Sequence, residues 1–227
     1  MARSPIWGIR KNLADKRKQA VRKESLQMRD ALTEQERNGR SLEIVKKLTS
    51  LCCYQMADVL LTYVSYRSEV DTLRLIRQAL LEGKRVFVPK VQGMEMEFYR
   101  ITDLSELQTG YRGILEPEAG AGASYGEYLN GMQGSHPETF SRAAMETIPH
   151  ILLCMPGAAF DRKRHRIGYG GGFFDRYLER LAAYRKKGLI QFTTIALAYA
   201  CQIWEEVPWE SHDVLPDMVL TEQQIIE

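Results

Sequence analysis

Two strand–helix–strand patterns, one in each half of the chain, constrain the fold of these 227 residues most strongly. In each unit an apolar run typical of a buried strand is followed by an amphipathic helix and then by a second apolar run. The predicted strands are 57–64, 85–89, 151–155 and 192–197, and the helices between them are 70–82, which ends at Gly83, and 173–187. Parallel strands need long crossover connections, so repeated units predict a mostly parallel sheet with helices on both faces.

Two helices are predicted ahead of the first unit. Residues 6–31 carry a broken apolar stripe, and a second helix opens at Thr33, where Thr33 and Glu36 match a capping box. The expected fold class is therefore α/β, with three layers, a mostly parallel sheet flanked by helices, and an N-terminal helical pair within residues 1–52. We expect one domain over residues 1–227, with a mobile surface loop in the glycine-rich stretch 119–135.

Composition indicates an ordinary globular protein. Hydrophobic residues make up 44% of the chain and charged residues 26%, and no apolar run approaches the roughly 20 residues that cross a bilayer. The N-terminus lacks the apolar core of a signal peptide, and the four cysteines lack metal-ligand spacing. These features predict a cytoplasmic protein with reduced thiols and without a membrane partner.

The charge is unevenly distributed. Residues 1–50 contain 13 Lys and Arg against six Asp and Glu, whereas the remainder contains 18 against 23. A basic N-terminal segment favours a partner that carries phosphates or carboxylates. A solvated helix face is the alternative interpretation of the same pattern.

The segment from Pro156 to Tyr177 contains the strongest local signal for chemistry. It follows a predicted strand, leads into a predicted helix, and contains Gly168 and the run Gly170–Gly172. Glycine is unfavourable inside regular elements, so these positions indicate close backbone approach or positive φ, and the N–H groups of the following helix can bind an anion. The segment is neither a Walker A loop nor a dinucleotide-binding motif. Taken alone, it leaves phosphate binding and a tight structural turn as alternatives.

The whole segment resembles the signature of the 5-formyltetrahydrofolate cyclo-ligase family, also called 5,10-methenyltetrahydrofolate synthetases. The resemblance rests on Pro156-Gly-x-x-Phe-Asp161 followed by Arg166-Ile-Gly-x-Gly-x-Gly-Phe-Phe-Asp175. Further stretches agree in order and spacing, namely Lys18 with Arg22, Arg29–Arg37, Tyr63–Thr72, and Val207–Asp213. The likeness covers nearly the whole chain.

The resemblance implies a reaction in which ATP and 5-formyltetrahydrofolate give ADP, phosphate and 5,10-methenyltetrahydrofolate. A formamide oxygen is a poor leaving group, and phosphorylation of that oxygen makes the carbon open to attack by N10. For such chemistry a protein mainly positions groups and stabilises phosphoryl charge. The implied small molecules are ATP as co-substrate, Mg²⁺ and a reduced folate.

The resemblance also implies roles for individual residues. Arg166 and Tyr169 are the expected catalytic residues, and Asp175 and Asp213 the expected Mg²⁺ ligands. The expected ATP-binding residues are Lys18, Arg22, Arg166, Ile167, Gly168, Tyr169, Gly170, Gly171, Gly172, Phe173 and Phe174. The expected folate-binding residues are Val64, Glu69, Tyr169, Gly170, Gly171, Gly172 and Phe173.

Each assignment has a structural alternative. Lys18 and Arg22 suit a solvated helix face, and Asp175 and Glu69 suit the first turn of a helix, where a carboxylate stabilises the dipole. Two departures from the family pattern bear on the loop: Arg164 stands where glycine is common, and Phe173-Phe174 replaces a frequent Tyr-Tyr pair.

Three other functions compete with the ligase. A nucleic-acid binder would use the basic helices, although the pI near 8.3 is below the usual basic footprint. A sugar-phosphate or CoA enzyme would share the sheet, and a catalytically idle relative would bind folate without turnover. We expect ATP and reduced folate as partners, no nucleic acid, and a monomer.

Overall fold

Alternating strands and helices build this protein, and its computed structural model describes residues 5–118, 124–134, 148–210 and 213–227. The helices are α1 (Pro5–Asp30), α2 (Glu34–Ser50), α3 (Cys52–Gln55), α4 (Leu73–Leu81), α5 (Tyr125–Gly134) and α6 (Phe173–Lys186). The strands are β1 (Val59–Thr62), β2 (Arg85–Gln92), β3 (Glu95–Ile101), β4 (Leu107–Thr109), β5 (Leu115–Pro117), β6 (His150–Met155), β7 (Ala159–Asp161), β8 (Arg166–Ile167), β9 (Gln191–Leu197), β10 (Ile203–Trp204), β11 (Met218–Leu220) and β12 (Ile225–Ile226).

Seven of these strands form the central sheet, in the order β12-β11-β9-β6-β1-β2-β3. The five inner strands are parallel to one another, and β12 and β3 run antiparallel at the two edges. The register aligns Leu60 of β1 with Val86 of β2 and Leu152 of β6. The mostly parallel sheet predicted from the two units is confirmed.

Helices cover both faces of this sheet, as the three-layer prediction requires. Leu60 faces a core built with Ile44 and Leu48 of α2 and with Leu75 of α4. The neighbouring Leu61 points to the opposite core, which contains residues of α5 and α6. Successive side chains of a strand alternate between faces, and all four residues of β1 are buried because both of its faces are covered.

The order in which the chain adds parallel strands reverses at the centre of the sheet. From β1 the chain crosses to β2 on one side, and from β6 it crosses to β9 on the other, so adjacent β1 and β6 flank a topological switch point. Ligands of open α/β sheets bind beyond the carboxyl ends of strands at such a point. The segments that leave β1 (63–72) and β6 (156–172) meet this edge.

A small sheet in the order β10-β7-β8 lies beyond β6 and supports the second of these segments. Its apolar residues Ala159 and Ile167 pack with Val207, and Val21 of α1 and Trp204 cover them. The third core therefore joins α1 to the glycine-rich segment, although the two are far apart in sequence.

Most predicted elements appear with shifts of a few residues at their ends. The capping box at Thr33 is formed, because its hydroxyl accepts the N–H of Glu36 and the Glu36 carboxylate accepts the N–H of Thr33. Gly83 follows the C-cap residue of α4 and has φ +78°, as expected for a glycine at a helix end. The strand predicted at 85–89 continues to Gln92 and turns at Gly93, with φ +62°, into β3.

The prediction of a surface loop at 119–135 is wrong for residues 124–134, whereas 119–123 and 135 lie outside the described residues. Residues 125–134 form α5, in which Tyr125 is completely buried and Leu129 is 2% exposed. Tyr125 packs edge-on against Phe87 of β2, with ring centroids 5.0 Å apart. Flanking glycines concealed an i, i+4 apolar pair that is typical of a helix face.

No helix in the described ranges is both long and apolar enough to cross a membrane. The four cysteines form no disulfide. Cys154 is buried in β6, whereas Cys52 is exposed.

Candidate active site

One face of α1 carries polar residues into the protein. Lys18, Arg22, Ser25 and Arg29 follow each other at intervals of four, three and four, so they share one side of the helix. Ser25 is completely buried, and its hydroxyl donates to the carbonyl of Ala158 at 2.6 Å. This bond fixes α1 against β7, and it places the three cations along the edge of the glycine-rich segment.

Lys18 lies between two carboxylates of the C-terminal segment. Its Nζ is 2.6 Å from Asp213 Oδ2 and 2.9 Å from Glu210 Oε2. Burial lowers the pKa of Lys18, but the hydrogen bonds and charges of Asp213 and Glu210 outweigh burial, so the pKa is raised above its usual value. Lys18 is therefore a fixed cation, and the alternative of a solvated surface charge does not describe it.

Arg22 reaches the glycine-rich segment directly. Its Nε donates to the carbonyl of Gly168 at 2.7 Å, and its guanidinium lies beside Gly170. Within the described ranges no carboxylate forms an ion pair with Arg22, and burial lowers the pKa of this guanidinium. A partly buried cation without a carboxylate partner attracts an anion to this place.

The glycine-rich segment needs its glycines for conformation. Gly170 and Gly172 have φ of +96° and +63°, which side chains other than glycine adopt at a cost. Gly172 is the N-cap of α6 and gives no side-chain cap, so the first N–H groups of this 14-residue helix keep their donors for another acceptor. Unsatisfied N–H groups and the positive end of the dipole form an anion site.

Arg166 lies under this loop and is only 7% exposed. Its Nη2 donates to Asp175 Oδ1 at 2.6 Å and its Nη1 to the carbonyl of Pro156 at 3.3 Å, while its buried Nε has no partner. An unsatisfied buried N–H of a charged group is costly. The guanidinium can therefore gain a further acceptor at this position.

Glu69 and Tyr169 meet on the other side of the loop. Glu69 Oε2 accepts the N–H of Tyr66 at 2.8 Å, and its carboxylate is also hydrogen bonded to the Tyr169 hydroxyl. Burial raises the pKa of Glu69 above its usual value, and the two hydrogen bonds and the charge of Arg29 reduce that rise. The segments that leave β1 and β6 thus join through one carboxylate–phenol pair.

Arg29 completes this cluster, although no role was predicted for it from the sequence. It is 4% exposed, and it donates to the Tyr169 hydroxyl at 2.6 Å and to Ser68 Oγ at 3.0 Å. Tyr169 is 44% exposed, but its hydroxyl contacts buried groups. Burial of the hydroxyl, and to a lesser extent the charge of Glu69, raises its pKa above the usual value. The signal that could have identified Arg29 was its spacing on the polar face of α1.

Several predicted binding residues present backbone to the site and have their side chains packed elsewhere. Ile167 is 2% exposed in the third core, and Phe174 packs on the main cores with Phe98 at a centroid distance of 6.3 Å. Val64 is 3% exposed and also belongs to the core. Phe173 lies under the Arg176 guanidinium at 5.2 Å.

Arg164 closes the turn between β7 and β8 with φ +68°, the left-handed conformation that glycine adopts more easily. Its N–H donates to the carbonyl of Asp161 at 3.0 Å, and its guanidinium donates to the carbonyl of Asp217 at 2.8 Å. The side-chain bond offsets part of the roughly 1–2 kcal/mol that this conformation costs other residues. The loop therefore enters the site through a regular hairpin turn.

Each of the two predicted metal ligands is paired with a basic side chain. Asp175 is bound by Arg166, and Asp213 by Lys18 and by the N–H of Glu210 at 2.8 Å. In the part of the chain that the structure describes, no group of three or more His, Cys, Asp or Glu forms a metal cage. Mg²⁺ commonly takes one or two carboxylates together with substrate phosphates. The donor set fits a cation that binds together with a triphosphate.

The fold and this edge define an α/β protein with a cationic, glycine-lined anion site at the switch point of its sheet. Residues 14–222 match the model of the 5-formyltetrahydrofolate cyclo-ligase family, and the chain belongs to that family. The 5-formyltetrahydrofolate cyclo-ligase of mouse is 28% identical over 207 residues, which cover 90% of this chain and 93% of the mouse protein. The 5-formyltetrahydrofolate cyclo-ligase of Escherichia coli K12 is 25% identical over 204 residues, which cover 88% of this chain and 98% of the E. coli protein.

Solved structures agree with this assignment. The 5,10-methenyltetrahydrofolate synthetase of Aquifex aeolicus, solved by NMR, superposes with a TM-score of 0.69 at 28% identity and covers 92% of this chain and 91% of its own. The synthetase of Mycoplasma pneumoniae, at 21% identity and a TM-score of 0.61, shares the fold over 90% of this chain. The fold class predicted from the sequence is confirmed.

Proposed function

We propose that this protein uses ATP to close 5-formyltetrahydrofolate to 5,10-methenyltetrahydrofolate, with release of ADP and phosphate. One observation supports the ATP dependence: Arg22 binds Gly168 of the glycine-lined loop and Arg166 binds Asp175 in the first turn of α6, while Lys18 lies one turn before Arg22 on the same face of α1. Three cations and a set of free helix N–H groups suit a polyphosphate. Family membership supports the folate half of the reaction.

On the phosphate side, we assign Arg22, Arg166 and the N–H groups of Gly170–Gly172 to the triphosphate. Lys18 holds Asp213 and Glu210 until the nucleotide binds, and it then contributes its charge to the phosphates. Asp175 and Asp213 would hold Mg²⁺, which would supply charge neutralisation to the phosphates. Arg166 is almost fully buried, so its charge should act more strongly on the transferred phosphoryl group, since charges act more strongly where water is excluded.

On the folate side, we assign Glu69 to the pterin, whose N–H groups suit a carboxylate acceptor. Tyr66 and Tyr169 already hold this carboxylate by hydrogen bonds. Tyr169 belongs to the glycine-rich loop, so its phenol lies where the folate half and the phosphate half of the reaction meet. Arg29 positions that phenol.

In the reaction, the formyl oxygen attacks the γ-phosphorus and ADP leaves with the electrons of the broken P–O bond. N10 then attacks the formyl carbon and loses its proton, and phosphate leaves with the former formyl oxygen. Arg166 and the loop N–H groups stabilise charge on the transferred phosphoryl, and Tyr169 orients the formyl group. The expectations of a monomer in the cytoplasm, and of no nucleic-acid partner, stay predictions from the sequence.

The decisive assay follows the absorbance of the methenyl product with 5-formyltetrahydrofolate, ATP and Mg²⁺, each omitted in turn. We expect product only in the complete mixture, with ADP formed in equal amount. Folate binding without product would support the idle binding module. Product without nucleotide consumption would contradict the ATP-dependent mechanism, and a gel shift with RNA or DNA at physiological salt would favour the nucleic-acid binder.

A further inference from the structure

The contacts of α1 give the site a linear order. Lys18 touches the segment 207–213, Arg22 touches Gly168, and Arg29 touches Tyr169, and about 16 Å separate the two ends of this series at 1.5 Å per helical residue. In the proposed function, folate occupies the Arg29 end and the phosphates extend from Arg22 toward Lys18. The remainder of the nucleotide therefore extends toward the Lys18 end.

An aromatic surface lies at that end. Trp209, one residue before the Glu210 that binds Lys18, is 52% exposed. Its ring stacks on the imidazole of His165, with centroids 4.7 Å apart and planes inclined by 6°. His165 is 8% exposed and immediately precedes Arg166 in the chain. One face of the indole is covered by His165, and the exposed area lies on the rest of the ring.

A buried carboxylate holds this pair in place. Asp161 is 1% exposed, and its Oδ2 lies 2.8 Å from His165 Nδ1 and accepts the N–H of Val207 at 3.2 Å. Its Oδ1 accepts the N–H groups of Lys163 and His165 at 2.9 and 3.0 Å. Asp161 thus holds both the buried imidazole of His165 and the start of the segment 207–213, which carries Trp209. A preorganised platform loses little entropy when a ligand binds.

We propose that the Trp209 ring, backed by His165, is the stacking platform for the purine base of ATP. The proposal rests on the proposed function, because the linear order along α1 depends on where the phosphates bind. An indole accepts any planar base on its face, so the platform supplies affinity without reading the edge of the base. Trp209 contacts the substrate, whereas Asp161 and His165 are positioning residues.

The test compares ligands that carry or lack a base. Calorimetry on the full chain measures binding of Mg-ATP, of inorganic tripolyphosphate and of 5-formyltetrahydrofolate to the wild type, Trp209→Ala and Trp209→Phe. We expect Trp209→Ala to bind Mg-ATP about tenfold more weakly. It should bind tripolyphosphate and folate as the wild type does, and Trp209→Phe should keep most of the ATP affinity. Leu215→Ala, which removes another exposed apolar side chain, 45% exposed in the wild type, should change nothing.

Indole fluorescence provides a readout that does not depend on activity. Mg-ATP should quench emission in the wild type and leave Trp209→Phe unquenched, although the latter still binds. Unchanged ATP affinity in Trp209→Ala, or an equal loss for ATP and tripolyphosphate, would overturn the platform while the ligase function stands. A wild type that binds no ATP would overturn both.

Discussion

The two segments that meet at the carboxyl edge of the sheet are held in different ways. The segment 63–72 is fixed largely by bonds within itself: Thr72 donates to the carbonyl of Tyr63 at 2.7 Å, and Tyr63 donates to the carbonyl of Val70 at 3.0 Å. The segment 156–172 contains the local β7–β8 hairpin, but side chains more than 40 residues away also hold it, those of Ser25, Arg22 and Gln202. The folate side is therefore encoded more locally, although Arg29 of α1 reaches it, whereas the phosphate side depends more on α1 and the C-terminal third.

This difference gives the two sides different sensitivities. A change at Lys18 or Arg22 of α1 should damage the phosphate side and leave the carboxylate of Glu69 in place. A change in the segment 63–72 should affect folate binding and leave nucleotide binding intact.

The largest effect is expected for Lys18→Glu. The substitution removes a cation and adds a third acid beside Glu210 and Asp213. We expect kcat/KM for ATP to fall about 100-fold or more while the KM for folate changes little. Steady-state kinetics with each substrate varied in turn measure this, with Lys16→Glu as the control because Lys16 is exposed on α1. An equal loss in both variants would show that only the overall charge matters.

Asp175→Asn should have the next largest effect. It removes a charge that pairs with the buried Arg166, and it removes a proposed Mg²⁺ ligand. We expect about a 30-fold loss of activity at ordinary Mg²⁺, partly restored at higher Mg²⁺. Titration of activity with Mg²⁺ measures it, and Glu179→Gln, at an exposed position on the same helix, provides the control. Full activity of Asp175→Asn at ordinary Mg²⁺ would count against the metal role.

Arg29 and Tyr169 should act as one unit on the folate side. We expect Tyr169→Phe to raise the folate KM about tenfold, since it removes the hydroxyl that bonds both Arg29 and Glu69. Arg29→Lys should raise the KM as well, and it should add little in the Tyr169→Phe background. A double-mutant cycle on KM and kcat measures the coupling. Additive effects would separate the two residues.

Two glycines with positive φ distinguish conformation from function. Gly170→Ala and Gly188→Ala should each destabilise the protein by about 1 kcal/mol, because both have φ in the left-handed region, +96° and +71°. Only Gly170 lies beside Arg22, so only Gly170→Ala should also raise the KM for ATP. Urea unfolding and ATP kinetics test the pair. A similar KM in both variants would leave the Gly170 conformation as purely structural.

The smallest effect is a pH dependence due to Glu69. Burial raises its folded-state pKa above the unfolded value, so the folded state binds the proton more tightly. Stability contributed by Glu69 is therefore fully present below the unfolded pKa and is lost as the pH rises through the folded pKa. Urea unfolding between about pH 4 and pH 7 should show the wild type losing stability relative to Glu69→Gln. Parallel pH curves for the two proteins would contradict this shift.

The sequence predicted most regular elements, because both strand–helix–strand units carry clear periodicity. It missed β3, and it missed seven strands of two or three residues, which are too short to show a period: β4, β5, β7, β8, β10, β11 and β12. It also missed α5, where Tyr125 and Leu129 lie among glycines. Binding roles were predicted for the residues of the glycine loop from the resemblance, whereas no role was predicted for Arg29, Glu210 or Asp161.

By itself the sequence determined the order of the elements, the two faces of β1 and the need for glycine at positions 170 and 172, since each depends on local composition and backbone conformation. Only the tertiary structure decided which polar groups meet: Lys18 with Asp213 across 195 residues, and Arg29 with the Tyr169 hydroxyl across 140. Such pairs arise where packing of α1 on the third core brings distant segments together. The physical reason is that an ion pair or a hydrogen bond depends on distance in space, which the spacing along a chain does not specify.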